Sequence, residues 1–375
     1  MTKIKEIKTI RTRANGIWLG VKIITDQPGL YGIGSASDVH HSSAIEKVIE
    51  EVMGPRLIGR DVANIEDIWQ STYTSAYWRN GSILNTALGG IDMALWDLCG
   101  KIYGQPTWKL LGGSVKDFIL PYASLLPEGD NLKDYSDSLV KKVIKSKELG
   151  FKAAKLEICI KGPYSHNNIQ IEDDNEFAKM VHKCREAVGK EMTLMADVAY
   201  AWQDWKSALR ALNMVARDNL YFIETPLGID DLEGLAKLSD ASLVRVATGE
   251  MLQTRFECFE TIEKGKIDVI QPDMGRVGGL TEAKRVAQFA EDKGVLVVPH
   301  CWKSAIGIAA SIHLSAVSPT CSFIEFLPRE LAESQLRKDL VTNEHEVIDG
   351  KIALPTKPGL GIDINENKLN DFLIK

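Results

Sequence analysis

Eight short apolar segments alternate with amphipathic helical patterns between about residues 116 and 340, and this alternation constrains the fold most strongly. The predicted strands are ILPYASL, KAAKLEI, TLMADV, LYFIET, VRVATGE, DVIQPD, VLVVPH and CSFIEF. Nearly continuous apolar strands are typical of parallel sheets that are buried on both faces. Eight such units in roughly 225 residues predict an α/β fold, a (β/α)8 barrel of the TIM type, which typically takes about 250.

A doubly wound open sheet is the main structural alternative. Such sheets usually carry the glycine-rich turn G-x-G-x-x-G after the first strand. No turn in this sequence matches that spacing, and GRVGGL at 275–280 resembles it only loosely because its glycines are spaced differently. The closed barrel is therefore favoured over the open sheet.

Two further parts flank the predicted barrel. The first 115 residues open with strand patterns in IKEIKTIRTR and WLGVKIITD and continue with helical patterns. In one of these, ILNTALGGIDMALWDLCGKIYG, apolar residues recur every three or four positions, as on the buried face of a helix. We predict an α+β unit over 1–115, the barrel over 116–340, and a segment over 341–375 that returns to the first unit.

Charge and hydropathy exclude several classes of function. The formal net charge is −6 without a basic tract, which argues against nucleic acid as the main partner. No apolar run approaches the roughly 18 residues of a membrane helix, and the N-terminus lacks the apolar core of a signal peptide. The six cysteines are scattered without a C-x-x-C pair, as in a reduced protein. We expect a cytoplasmic protein that does not contact a membrane.

Polar residues end the predicted barrel strands one after another. The second strand carries Lys155 and Glu157, which point to the same side because side chains alternate along a strand. Later strands end, 23 to 27 residues apart, at Asp197, Glu224, Glu250, Asp273, His300 and Glu325. Active sites of (β/α)8 barrels lie at this face and draw residues from several strands. We therefore predict a site here, although Lys155 and Glu157 could instead form a simple ion pair.

Three acids on consecutive strands, Asp197, Glu224 and Glu250, suggest a metal site. Carboxylates that converge on one point repel each other unless a cation lies between them, and Mg²⁺ prefers oxygen ligands. A single aspartate at a strand end is more often the N-cap of the next helix. Glu224 follows three apolar residues and is harder to explain in that way, so the regular run of acids favours Mg²⁺.

His300, in VVPHCW, is the candidate base. A lone histidine here would more often be a buried structural residue, but Asp273 ends the preceding strand and can hold the imidazole in one tautomer. Glu325 is either functional or part of a salt bridge. A base beside a cation suits removal of a weakly acidic proton next to a carboxylate, because the cation and fixed donors stabilise the enediolate.

A set of motifs accompanies these residues: GGIDMALWDLCGKIYGQPTWKLLGG, FIETPL, ATGE, IQPDMGRVGG, VPH and the closing PGLG. With them the chain resembles the enolase superfamily, in particular the mandelate racemase-like branch, over nearly its whole length. The resemblance implies that the first unit and the C-terminal tail form a capping domain. It also implies site roles: Mg²⁺ ligands at Asp197, Glu224 and Glu250, a general base formed by His300 with Asp273, and a hydrogen bond between Glu325 and the substrate carboxylate.

Two positions depart from the pattern of that family. The branch commonly has Lys-x-Lys at the end of the second barrel strand, where the first lysine approaches the substrate carboxylate and the second is an acid or base. Here the pair is Lys155 and Glu157. The branch also often has Asn, or His in galactonate- and mannonate-type dehydratases, where this chain has Ala199. Ala199 disfavours those two activities by their usual mechanism.

The missing second lysine favours elimination over racemisation. A racemase needs a base on each face of the α-carbon, whereas removal of water from a sugar acid needs one base and an acid for the leaving hydroxyl. We therefore expect a Mg²⁺-dependent dehydratase of a sugar acid. The alternatives are a racemase, epimerase or cycloisomerase that uses the same enediolate, and a barrel that binds a ligand without catalysis.

Further side chains are candidates for contact with the substrate. The main ones are Arg79, Tyr200, Trp302 and Lys303, and Asn80, His40, His41 and Trp202 are further candidates. Candidates for the acid are His300 itself, Glu157, Tyr164 and Tyr200. Each of the aromatic and basic residues could instead be a surface or packing residue. We expect the partners to be a small carboxylate substrate and copies of the same chain in a homo-oligomer.

Overall fold

An antiparallel sheet of three strands opens the chain. The computed structural model describes residues 1–13, 17–36, 41–75, 77, 81–159, 171–302, 304–332 and 335–374. Its first strands, paired in sequence order, are β1 (Ile4–Arg13), β2 (Ile17–Thr25) and β3 (Tyr31–Ser35). Leu19, Val21 and Ile23 occupy alternate positions of β2 and are fully buried. One face of the sheet is therefore covered.

Helices follow the sheet and cover that face. They are α1 (Ser42–Lys47), a π-helical turn (Val48–Met53), α2 (Gly54–Leu57), α3 (Ile65–Ser75), α4 (Ser82–Tyr103) and α5 (Thr107–Leu110). Helix α4 lies so close to β3 that a Cβ atom on Gly32 would be 2.1 Å from the backbone oxygen of Ala94. We call the three strands and these helices the cap.

Eight parallel strands then close into the predicted barrel. After the short strand β4 (Phe118–Ile119) come β5 (Pro121–Leu125), β6 (Ala153–Glu157), β7 (Thr193–Asp197), β8 (Leu220–Glu224), β9 (Arg245–Thr248), β10 (Val269–Ile270), β11 (Leu296–Val297) and β12 (Ile324–Phe326). Sequence neighbours from β5 to β11 pair in order, and β12 pairs with β5. The backbone N–H of Val297 donates to Thr320 at 3.1 Å, and that of Ser322 donates to Val297 at 3.2 Å. These hydrogen bonds close the sheet between β11 and β12.

Helices lie on the outside of the barrel. They are α6 (Leu132–Glu148), α7 (Ile171–Val188), α8 (Trp205–Met214), α9 (Leu232–Ala241), α10 (Arg255–Gly265), α12 (Leu280–Asp292), α13 (Ala305–Val317) and α14 (Gln335–Asp339), with a 3-10 turn at Ala216–Asp218. The short helix α11 (Met274–Val277) follows Asp273 and packs against α4. Outward-pointing strand residues such as Leu194, Ile223 and Ile270 belong to the large core beneath these helices. The alternation of strands and helices in the sequence thus gives the α/β barrel.

A layer of apolar side chains fills the inside of the barrel. It consists of Tyr122, Ala153, Met195, Phe222, Ala247, Val269 and Val298, all fully buried. Because side chains two residues apart share one face of a strand, the residues that follow this layer also point inward. On β6, β7 and β8 these residues are Lys155, Asp197 and Glu224. The apolar layer is therefore the floor of the predicted site.

The C-terminal segment contacts both the barrel and the cap. Its elements are β13 (Val341–Thr342), β14 (Ile352–Ala353), β15 (Asp363–Ile364) and α15 (Glu366–Leu369). Strand β14 pairs with β4 beside the first barrel strand. Farther on, the backbone N–H of Arg13 donates to Phe372 and that of Ile374 donates to Arg11, so the tail lies along β1. The C-terminal tail thereby completes the cap.

Helix α4 also holds the start of α12, which follows β10 and α11. Asp92 accepts hydrogen bonds from the backbone N–H of Thr281 at 2.9 Å and from its hydroxyl at 2.5 Å. The ring N–H of Trp96 donates to the same hydroxyl at 2.8 Å. Burial raises the pKa of Asp92 to about 7. The cap thus fixes, from outside the barrel, the segment that begins at Asp273.

In the part of the chain described, no helix is both long and apolar enough to cross a membrane. All six cysteines are free thiols, as their scattered spacing predicts. Burial raises the pKa of Cys99 and of Cys184 to about 12, which keeps both thiols protonated at neutral pH.

Candidate active site

The polar residues at the strand ends meet at one end of the barrel. Asp197 is the cross-strand neighbour of both Glu157 and Glu224. Two or three residues beyond β9, β10 and β11 lie Glu250, Asp273 and His300. Short contacts between side chains, from Lys155 of β6 to Glu325 of β12, bring these strand-end residues into one cluster.

Lys155 lies at the centre of this cluster. Its Nζ is 2.9 Å from both carboxylate oxygens of Glu224, 3.0 Å from Glu325 and 3.5 Å from Asp197. Burial alone would lower the pKa of Lys155, but the surrounding carboxylates raise it well above its usual value. Lys155 is therefore a buried ammonium group, and its ion pairs are with these three acids rather than with Glu157.

Asp197, which is partly buried, lies next to the fully buried Glu224. The Oδ1 atom of Asp197 accepts hydrogen bonds from the backbone N–H of Ala199 at 2.9 Å and from the hydroxyl of Thr225 at 2.8 Å. Burial raises the pKa of both carboxyl groups, neighbouring negative charges add to the shift, and Lys155 opposes it. Further positive charge would therefore be stabilised at this place.

Glu250 extends the acidic cluster from the loop after β9. Its Oε1 accepts a hydrogen bond from the hydroxyl of Tyr200 at 3.0 Å. Its Oε2 lies 2.9 Å from Nε2 of His300 and 3.6 Å from Arg276. Burial opposes ionisation, but His300, Arg276 and Lys155 hold the pKa of Glu250 below its usual value. Glu250 is thus a carboxylate at neutral pH.

The donor chemistry of Asp197, Glu224 and Glu250 fits a hard divalent cation such as Mg²⁺. Among the residues that the structure describes, however, no three His, Cys, Asp or Glu side chains are arranged as metal ligands. Glu224 directs both oxygens toward Lys155, and Glu250 divides its oxygens between a tyrosine and a histidine. A cation that binds here has to compete with Lys155 for the oxygens of Glu224.

His300 and Asp273 form a dyad. Nδ1 of His300 is 2.7 Å from Oδ2 of Asp273, whose Oδ1 accepts the backbone N–H of Gly275 at 2.7 Å. Nε2 of His300 consequently faces Glu250 at 2.9 Å and Glu325 at 3.8 Å. Burial lowers the pKa of His300, but these two acids and the hydrogen bond to Asp273 outweigh it and raise the pKa to about 10. In this arrangement the imidazole is protonated at neutral pH.

Glu325 is held on both sides of its carboxylate. Oε1 accepts the hydroxyl of Ser124 at 2.7 Å, and Oε2 accepts the backbone N–H of Cys301 at 2.7 Å. Burial opposes ionisation, but Lys155 and His300 lower the pKa of Glu325. Glu325 is therefore a fixed negative charge between the ammonium group and the imidazole.

Glu157 lies at the end of β6, beyond Lys155, and is half-buried. Its carboxylate accepts a hydrogen bond from the thiol of Cys159 at 3.3 Å, and its backbone oxygen accepts the hydroxyl of Tyr135 at 2.9 Å. Burial, followed by the negative charge of Asp197, raises the pKa of Glu157 to about 8. At pH 7 this group is mostly a neutral carboxylic acid that can donate a proton.

The structure describes two of the four main substrate-binding candidates. Tyr200 is 5% exposed, with its hydroxyl on Glu250. Trp302 is half-buried in the loop after β11. The candidates that lie outside the described residues are Arg79, Asn80, Lys303, Tyr164 and His40. The substrate-binding roles stay predictions.

The further candidate Trp202 packs inside the protein. Its side chain is 1% exposed, and its ring N–H donates to Asp174 at 3.2 Å. The ring also packs edge-on against Phe177 of α7. His41 is exposed and precedes α1. These contacts support the packing interpretation of Trp202.

Ser124 and Arg276 are among the residues that contact the cluster but were not predicted. Ser124 follows Tyr122 by two positions in ILPYASL, so counting alternate residues along that strand would have found it. Arg276 donates to the backbone oxygen of Glu250 at 2.9 Å, and its Nε is 3.8 Å from Asp273. It lies in α11, outside the strand pattern, where the sequence offers no comparable signal.

Family models match most of the chain. Residues 7–112 match the N-terminal domain of the mandelate racemase / muconate lactonizing enzyme family, and residues 138–368 match the enolase C-terminal domain-like family. The second match alone covers more than half of the chain. The chain belongs to the enolase superfamily, in its mandelate racemase-like branch. This member of the superfamily is an enzyme, as predicted.

Relatives of this superfamily member match along the whole chain. A D-galactonate dehydratase family member from Paenibacillus sp. (strain JDR-2) is 31% identical over 400 residues, which cover 100% of this chain and 94% of the relative. An enolase from Pantoea ananatis, solved with bound D-gluconate and Mg, has a TM-score of 0.86 and 31% identity. The match covers 100% of this chain and 95% of the enolase chain. The 3,6-anhydro-D-galactonate cycloisomerase from Zobellia galactanivorans has a TM-score of 0.87 and 29% identity, covering 100% of both chains.

Proposed function

We propose that this enolase superfamily member is a Mg²⁺-dependent dehydratase, a hydro-lyase that removes water from a sugar acid. One observation carries the proposal. The mouth of the barrel holds one oriented base, His300 with Asp273 at 2.7 Å, and a carboxyl group, Glu157, where a second lysine would allow racemisation. Similarity to a D-galactonate dehydratase family member over 100% of the chain supports it.

A substrate carboxylate needs positive charge in a mouth that is rich in acids. Lys155 supplies an ammonium group at the centre of the cluster. A Mg²⁺ ion held by Asp197, Glu224 and Glu250 would supply further positive charge, which offsets the acids and stabilises the negative charge of an enediolate. The acid group of the substrate is therefore expected to bind on the Lys155 side of the mouth.

The first step removes the proton on C2 of the acid. His300 accepts this proton at Nε2, while Asp273 holds the opposite ring nitrogen and stabilises the imidazolium that forms. His300 can act as a base only when it is neutral. The negative charges of Glu250 and Glu325, which raise its pKa to about 10, must therefore be offset when the site is loaded.

The second step breaks the bond between C3 and its hydroxyl oxygen. The electrons of the former C2–H bond form a double bond between C2 and C3, and the hydroxyl leaves as water after it receives a proton. Glu157, with its pKa raised to about 8, is the acid that we assign to this transfer. The enol that remains tautomerises to a 2-keto-3-deoxy acid.

Glu157→Gln is expected to slow elimination by about 10²- to 10⁴-fold because the amide cannot act as an acid. Exchange of the C2 proton with solvent should continue, since His300 is unchanged. Both rates are measured by proton NMR in D₂O. Glu233→Gln, at a site where the side chain is 81% exposed, is the matched control. Parallel loss of exchange and elimination would show that Glu157 binds the substrate instead.

A cycloisomerase is the second candidate, and the similarity to the Zobellia cycloisomerase over 100% of both chains favours it. In this chain such a reaction would begin with the same proton transfer to His300. A panel of mono- and diacid sugars, incubated with protein and Mg²⁺, separates the two functions. A 2-keto-3-deoxy product, lighter by one water, supports the dehydratase. Conversion only to acids of unchanged mass would overturn it.

We place the enzyme in the cytoplasm, which the six free thiols support. We also propose a homo-oligomer that takes a small carboxylate substrate. Light scattering of the purified protein measures its oligomeric state.

A further inference from the structure

The segment that follows β7 continues alongside the segment that follows β8. The backbone N–H of Val198 donates to Glu224 at 3.3 Å, and that of Tyr200 donates to Thr225 at 2.6 Å. Two residues later, the N–H of Trp202 donates to Pro226 at 3.2 Å. The two segments thus stay hydrogen-bonded beyond the end of the sheet, at the end of the barrel where the acids lie.

Within this segment the backbone adopts conformations that side chains other than glycine rarely take. The φ angles are 45° at Ala199 and 62° at Tyr200, and Thr225 on the neighbouring segment has a φ of 45°. Left-handed backbone at residues with a Cβ is strained and persists only where the surroundings impose it. Such strain is common at functional sites.

Contacts at both ends hold the turn in place. Asp197 accepts the backbone N–H of Ala199 at 2.9 Å. On the other side, the ring N–H of Trp202 donates to Asp174 at 3.2 Å. The Nε and Nη2 atoms of Arg210 lie 2.8 and 2.7 Å from Oδ2 of the same carboxylate. Trp202 is 1% exposed, and its hydrogen bond to Asp174 connects the turn to α7. The segment is therefore fixed rather than free to adjust.

The result of the turn is the position of the Tyr200 hydroxyl. Tyr200 follows β7, yet its hydroxyl reaches past β8 and donates to Oε1 of Glu250, beyond β9, at 3.0 Å. This bond fixes one oxygen of Glu250, whose other oxygen faces His300 at 2.9 Å. Without it, both oxygens of Glu250 could turn toward the neighbouring side chains of His300 and Arg276.

We propose that Tyr200 is a positioning residue, whose hydroxyl keeps the carboxylate of Glu250 oriented as a ligand of the divalent cation. The proposal rests on the metal site of the proposed function and adds to it a residue that touches a ligand rather than the substrate. Groups that orient metal ligands typically contribute 10- to 100-fold to metal affinity. Tyr200 therefore acts on the metal through Glu250.

Titration calorimetry with MgCl₂ alone tests this role without any substrate. Tyr200→Phe keeps the buried ring and removes only the hydroxyl, and it is expected to raise the dissociation constant for Mg²⁺ about 10-fold or more. Tyr103→Phe removes a hydroxyl from a tyrosine that is 57% exposed and should leave the constant unchanged. Thermal unfolding without metal shows whether Tyr200→Phe has merely weakened the fold.

The effect of Tyr200 on the metal through Glu250 is tested with Glu250→Asp, whose shorter side chain cannot reach the tyrosine in the same way. Adding Tyr200→Phe to Glu250→Asp should give no further loss of Mg²⁺ affinity. An unchanged dissociation constant in Tyr200→Phe, or an equal additional loss in the double variant, would overturn the proposal. If wild type binds Mg²⁺ and Tyr200→Phe weakens it, but no sugar acid is converted, then the dehydratase is wrong while the role of Tyr200 stands. A wild-type chain without Mg²⁺ affinity overturns both.

Discussion

His300→Asn is expected to lower turnover of the accepted acid by about 10²- to 10⁴-fold, the usual contribution of a general base. Asparagine can keep a hydrogen bond to Asp273, but it has no nitrogen that can take up the C2 proton. The positive charge beside Glu250 is also lost, so Mg²⁺ affinity should not fall. Steady-state kinetics and calorimetry on the same sample measure the two quantities.

His182→Asn is the matched control for this variant. His182 lies on α7, its side chain is 45% exposed, and it pairs with Asp218, away from the strand ends. It should retain wild-type turnover. Turnover that survives in His300→Asn would remove this residue from the role of base, and loss of Mg²⁺ affinity would show that the imidazole supports the metal site instead.

Lys155→Met is expected to destabilise the metal-free protein by about 3–5 kcal/mol, because removal of one partner leaves buried charges uncompensated. Glu224 and Glu325 are both fully buried, and each is within 3.0 Å of the ammonium group. Mg²⁺ should restore part of this free energy, since it supplies positive charge to the same carboxylates. Urea unfolding with and without MgCl₂ measures both effects.

Lys152→Met provides the comparison, since Lys152 precedes β6 and its side chain is exposed. Its unfolding free energy should stay within about 0.5 kcal/mol of wild type, as for most surface substitutions. A Lys155→Met protein as stable as wild type would mean that the acids are neutral and that Lys155 is not their counter-charge. A loss of unfolding free energy that MgCl₂ leaves unchanged would argue against a cation at Glu224.

The barrel and its inward-facing residues could be predicted because both follow from short-range periodicity. Strands and helices alternate along the sequence, and the floor residues Ala153 and Met195 precede Lys155 and Asp197 by two positions. The dyad was predictable for a similar reason, since parallel strands bring their carboxyl ends to one face of the barrel.

The partners of these residues could not be predicted in the same way. Lys155 is 69 residues from Glu224 in sequence, whereas Glu157 is two residues away, so the sequence left a local ion pair open. Only closure of the barrel shows that the ammonium group faces Glu224 and Glu325. Contacts of this kind depend on distances across the barrel, which no local pattern contains.

Tyr200 illustrates a second limit of the sequence. An aromatic residue near a strand end predicts either substrate contact or packing, and neither interpretation includes a bond to Glu250. The bond depends on left-handed backbone at Ala199 and Tyr200, which a sequence signals only when glycine occupies such positions. For Trp202, the hydrogen bond to the buried Asp174 on α7 supports the packing interpretation.

The fate of a deuterium label on C2 of the accepted acid tests the central claim most directly. If His300 removes the C2 proton before water leaves, the 2-keto-3-deoxy product contains no label, and the reaction is slower than with the unlabelled acid. In D₂O, the unlabelled acid should gain one deuterium at C3 of the product as the enol tautomerises. A product that retains the C2 label, or identical rates together with no exchange for any acid, would contradict an enediolate dehydratase.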